Sequence, residues 1–129
     1  MSIITHINPS ELHTNPAYSQ ATLAPAGQTL YIGGQNGTDS TGAIVEGGVA
    51  AQSAQAMRNV LTILAAANAG PESVVKMTVY LAEGEDLQAA FAASIQVWGQ
   101  QPTAITVVRV AGLGRPEALV EIDAIALVG

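Results

Sequence analysis

The chain contains no cysteine, and only four of its side chains are basic (Arg58, Lys76, Arg109 and Arg115) against ten acidic ones. The first absence excludes disulfide scaffolds, zinc ribbons, cysteine-held iron–sulfur sites and thiolate nucleophiles. The second, with a net charge of −6, leaves too few cations to neutralise a run of phosphates, so neither nucleic acid nor an anionic membrane surface is expected as a partner. Long apolar runs are missing too, because Ser, Thr, Gly or charged residues interrupt each one well short of a membrane span. The first twelve residues lack a basic stretch leading into an apolar one, so the expectation is a soluble, unprocessed, cytoplasmic protein.

What is present is 129 residues, 49% of them hydrophobic and 23 of them alanine. That length suits one domain spanning residues 1–129. So charge-poor a small protein is expected to hide surface in an oligomer.

Pattern reading divides the chain into alternating strands and helices. Residues 18–24 and 29–35 are strand-like and flank Pro25-Ala26-Gly27-Gln28, which predicts a β-hairpin. Residues 35–48, with Asn36-Gly37, Thr41-Gly42 and Gly47-Gly48, read as an irregular loop. Helical spacing of Val49, Met57, Val60, Leu61 and Leu64 predicts a first helix over 49–69, stopped by Gly70-Pro71. Val75, Met77, Val79 and Leu81 alternate with Lys76, Thr78 and Tyr80, the pattern of a strand with one buried face. Leu87, Ala90, Phe91, Ser94, Ile95 and Trp98 mark one face of a second helix ended by Gly99 and Pro102. Residues 104–111 and 118–128 are predicted to pair as antiparallel strands. In the last strand Val120, Ile122, Ala124, Ala126 and Val128 share one face, while Leu119, Glu121, Asp123, Ile125 and Leu127 share the other. Neither face is fully polar, so helices are expected over one side and another subunit over the other.

Few residues carry recognisable chemistry. Glu121 and Asp123 point to one side of a strand about 6.5 to 7 Å apart by strand rise, a spacing compatible with acid–base work by two carboxylates. The bland alternative is a solvated pair, or a pair matched with Arg109 or Arg115. His6 and His13 fit no metal-ligand spacing and read as surface histidines. Gly33-Gly34-Gln35-Asn36-Gly37 has neither dinucleotide-loop nor Walker spacing, and no Gly-x-Ser-x-Gly elbow surrounds a serine. Phe91 and Trp98 read as core residues, with Phe91 also placed to reach a pocket rim.

Taken together, Tyr31-Ile32-Gly33-Gly34-Gln35, Asn59-Val60, the strand from Val74 through Leu81, the block from Thr103 through Leu113 and Val120-Glu121-Ile122 resemble the RidA/YjgF family, also called the L-PSP endoribonuclease family. The resemblance implies an α+β, chorismate-mutase-like single domain: a mixed β-sheet backed by two helices, assembled as a homotrimer with clefts between subunits. It also implies reactive imine deamination without metal or cofactor. An Arg on the penultimate strand grips the substrate carboxylate, and a Glu on the last strand positions water. The Glu matches Glu121, a cleft Tyr matches Tyr18, and a pocket-bordering Gly matches Gly34. Ile105 stands where the Arg is expected, a one-residue shift bringing in only Ala104, and Phe91 stands where an Asn is frequent, with Val107 beside Ile105 as a further pocket residue.

Loss of a charge-assisted Arg–carboxylate contact removes a few kcal/mol of binding, about two to three decades of affinity. The expectation is therefore cleft hydrolysis or tautomerisation of a small neutral imine, enamine or related carbonyl compound, with Glu121 activating water beside Tyr18 and Gly34. The alternative is a non-catalytic ligand-binding or regulatory trimer of the same fold. Four basic residues argue against ribonuclease activity.

Overall fold

The computed structural model describes residues 3–129. Two short strands, β1 (Thr5–Ile7) and β2 (Ala21–Leu23), pair antiparallel as a small separate sheet. The main sheet has four strands: β3 (Gln28–Gln35), β4 (Val74–Ala82), β5 (Ala104–Val110) and β6 (Val120–Val128), in the order β3-β6-β4-β5. It is mixed, since β6 runs antiparallel to β3 and β4 whereas β5 runs parallel to β4. Helices α1 (Gly48–Ala66) and α2 (Leu87–Trp98) pack together, and α1 lies on the sheet. This is the α+β arrangement expected.

Local chemistry explains the helix ends. Asp86 caps α2 by accepting from the amides of Gln88 and Ala89 at 2.9 and 3.1 Å, and Gly99 leaves it at φ 83°. Asn68 closes α1 in the left-handed region at φ 56°, where its amide reaches the Ala65 carbonyl. Between the helices and the sheet one contiguous apolar cluster forms around Val60, Leu64, Met77, Leu81, Val120 and Ile122. Trp98 joins it, its indole N–H donating to the Gln101 carbonyl at 3.2 Å.

Two expected pairings are corrected. The segments flanking Pro25–Gln28 do not form a hairpin, because β2 pairs with β1 while β3 pairs with β6. A turn signal specifies a reversal but not a partner, and Leu30 and Ile32 reach the core by lining up with Ala126 and Ala124 of β6. Nor do β5 and β6 pair, since β4 lies between them. Apolar on both faces, β6 takes a central place, and α2 provides the crossover that parallel pairing of β4 and β5 requires. The 111–119 connection passes the end of β4, where the Ala82 amide donates to Leu119 and the Glu83 amide to Val110.

Candidate functional site

Register settles which candidates share a face. Ile105 and Val107 align with Met77 and Val79 of β4, which in turn align with Ala124 and Ile122 of β6, so all lie on the helix side. Glu121 aligns with Tyr80 and Asp123 with Thr78 on the opposite side. The sheet thus divides the six predicted residues. Tyr18, Phe91, Ile105 and Val107 line a cavity of about 470 Å³ between the sheet and the helices, whereas Glu121 and Gly34 lie together across the sheet.

The cavity is roofed by α2 and floored by β4 and β5. Phe91 stands at its rim, 44% exposed, and Val107 is 45% exposed. None of its lining residues carries a charge. Arg109, on the Ile105 face of β5, instead donates to the Glu85 carbonyl at 2.9 Å and ties the strand to the loop before α2. At the mouth the Tyr18 hydroxyl and His13 Nε2 share a hydrogen bond of 3.0 Å, with their rings edge to face. By sequence pattern His13 is an ordinary surface histidine. Five residues from Tyr18 with no periodic element joining them, it left no pattern that pointed to this contact.

Across the sheet, Glu121 is held by a chain of side chains. Asn36 Nδ2 donates to Glu121 Oε1 at 3.1 Å and to the Val120 carbonyl at 3.2 Å. The Asn36 carbonyl accepts from Asn59 Nδ2 at 3.2 Å, and Gln55 Nε2 donates to Asn59 Oδ1 at 3.0 Å. Helix α1 therefore orients the carboxylate through Asn36, a residue that the sequence placed in a turn only. Gly34 completes the seat. A Cβ there would lie 2.0 Å from Glu121 Oε2, so the carboxylate occupies the space of the missing side chain. The pairing shifts between Ile32 and Gln35, leaving Gly33 and Gly34 opposite Asp123 as a bulge that brings the backbone to Glu121.

Asp123 is not matched with Arg109 or Arg115; it accepts a hydrogen bond of 3.1 Å from the Tyr80 hydroxyl. That bond, then the Asp123 charge, burial and the Glu121 charge, push the Tyr80 phenol above its ordinary value near 10. Arg115 pairs with Glu117 at 3.1 Å. Among the described residues no cluster of three His, Asp or Glu side chains could hold a metal ion, and no helix is long and apolar enough to cross a membrane.

Residues 9–128 match the family model described as Endoribonuclease L-PSP. Over 113 residues, 87% of this chain and 80% of the relative, the sequence is 39% identical to human 2-iminobutanoate/2-iminopropanoate deaminase. It is 37% identical to a RutC family protein of Pyrococcus horikoshii over 84% of this chain and 85% of that protein. Among solved structures, a protein of unknown function of the conserved Rid family, YyfB from Yersinia pestis, superimposes with a TM-score of 0.87 at 29% identity, covering 97% of this chain and 98% of that one.

Proposed function

The chain belongs to the Endoribonuclease L-PSP family, the RidA/YjgF proteins, and on that premise we propose that it hydrolyses or tautomerises a small neutral imine, enamine or related carbonyl compound in a cleft between copies of the chain. The relatives named as deaminases support imine chemistry. The observation that carries the choice of a neutral substrate is the uncharged lining of the cavity at Ile105, Val107 and Phe91. A carboxylate desolvated there would find no cation, and burying an unpaired charge costs several kcal/mol, about two decades of affinity or more.

In the hydrolytic form, the Glu121 carboxylate takes a proton from water as the water oxygen adds to the imine carbon, and delivers that proton to the imine nitrogen to give the neutral carbinolamine. The carboxylate then takes the carbinolamine hydroxyl proton as the carbonyl forms and passes it to the nitrogen, which leaves as ammonia. The Asn36 amide and the Gly34 seat hold the carboxylate in place. Since Glu121 and the cavity occupy opposite faces of one sheet, a homotrimer in which a neighbouring copy brings Glu121 to the cavity mouth is part of the proposal. Glu121→Gln keeps the shape of the side chain and removes the base, so turnover of a panel of unstable neutral imines, read as ammonia release, should fall about 100-fold or more. Unchanged turnover would sink the proposal.

That same separation of Glu121 from the cavity favours a second reading, binding without turnover in a trimer of the same fold. Ammonia release from no imine tried, together with tight binding of a neutral ligand, would select it. RNA cleavage is not proposed despite the family's name, because all four cations are engaged by groups of the chain itself.

A further inference from the structure

Four polar side chains are buried among the described residues, and three of them have partners. Gln52 accepts from the Leu119 amide at 2.8 Å and donates to the Glu117 carbonyl. Thr103 donates to the Val74 carbonyl at 2.8 Å, and Ser19 to that of Pro102. The fourth is Ser53, 0% exposed on the sheet-facing row of α1, and its hydroxyl has no hydrogen-bond partner. It is also the one of the four that lines the cavity.

A helical serine has an easy local remedy, which is to donate to the carbonyl one turn back. Thr62 does so to Arg58 at 2.9 Å, and Ser94, another hydroxyl at the same cavity, does so to Ala90 at 2.8 Å. Ser53 does not. A buried hydroxyl left unmatched is destabilising, and here it belongs to a residue that lines the same cavity as Met57, Met77, Ile95 and Trp98. From this combination we infer that Ser53 is a ligand-anchoring residue: the cavity takes a neutral, mostly apolar, ring-sized molecule whose single carbonyl or imine group bonds to the Ser53 hydroxyl. The inference rests on the reading that this cavity is the ligand site, and it adds the group that fixes the ligand's orientation within it. A hydroxyl both donates and accepts, so it can serve a carbonyl oxygen, an imine nitrogen or an N–H.

The test is a binding measurement with three probes of one shape: acetophenone, its hydrocarbon counterpart α-methylstyrene, and benzoate. Wild-type protein is expected to bind acetophenone about fivefold to tenfold more tightly than α-methylstyrene, the value of one neutral hydrogen bond. Benzoate should bind more weakly than either. In Ser53→Ala and in the near-isosteric Ser53→Cys, whose thiol is a weak donor, acetophenone and α-methylstyrene should bind alike. The ligand-free Ser53→Ala protein should unfold at no lower temperature than wild type, since it loses an unmatched polar group. Persistence of the acetophenone preference in both variants, tighter binding of benzoate, or no binding of acetophenone to wild type overturns the inference. Because the readout is binding and not ammonia release, loss of the Ser53 effect leaves the Glu121 chemistry standing, and failure of the Glu121 assay leaves the Ser53 anchor standing.

Discussion

Gly34 and Ile105 show how one side chain, absent or exchanged, sets the local chemistry. At Gly34 the backbone is not in the left-handed region; what demands glycine is the Glu121 carboxylate, whose Cδ would lie 2.7 Å from a Cβ. Gly34→Ala is expected to turn Glu121 away from Asn36 and lower stability by about 1–3 kcal/mol, as overpacking does. Denaturant unfolding and the turnover assay check both effects, and a variant of wild-type stability and activity would show that the carboxylate has a second seat. Family resemblance implies a carboxylate-gripping Arg where Ile105 stands, and the structure puts Ile105 on the cavity side of β5. Ile105→Arg should raise kcat/KM for carboxylate-bearing imines by about two decades. A folded variant without that gain would mean that Ile105 does not face the reacting molecule.

At the level of elements, the helices and strands themselves were readable because each rests on local spacing. The second helix was expected from Leu87, and its last buried residue, Trp98, is where α2 ends. Helical spacing extends the first helix to residue 69, whereas α1 ends at Ala66 because Asn68 turns the chain left-handed before Gly70-Pro71 is reached. Strand partners were not readable, because a hairpin turn or an apolar strand is compatible with several neighbours. Helix α2 matters most for the proposed site, as it roofs the cavity and carries Phe91. Its start depends on Asp86, which accepts two amide hydrogen bonds. Asp86→Ala should cost about 1 kcal/mol, the usual value of an N-cap. It should also weaken acetophenone binding, because the roof frays from that end. A shift in stability without any change in binding would assign the cap a purely structural role.

Considered whole, the molecule covers one face of its sheet with two helices and leaves the other to Tyr31, Thr78, Tyr80, Glu121, Asp123 and Ile125. Tyr31 is 75% exposed, and β3 and β5 are the edge strands of the four-stranded sheet. A second copy of the chain would cover these groups, and the proposed cleft needs one to bring Glu121 to a cavity. Sedimentation equilibrium should therefore give a mass three times the 13.1 kDa of one chain. A monomer that still turns over neutral imines would remove the shared cleft from the mechanism.

Composition and periodicity were enough to establish the charge poverty, the existence and type of the main helices and strands, and the two apolar faces of β6. These depend on residue type and on neighbours a few positions away. Folding determined which strands meet, that β4 separates β5 from β6, that the six candidate residues fall on two sides of one sheet, and that Ser53 alone among the buried polar side chains of the described residues goes unmatched. Such features follow from register and from packing between residues far apart in the chain, and a pattern that repeats every two or 3.6 residues carries no information about either.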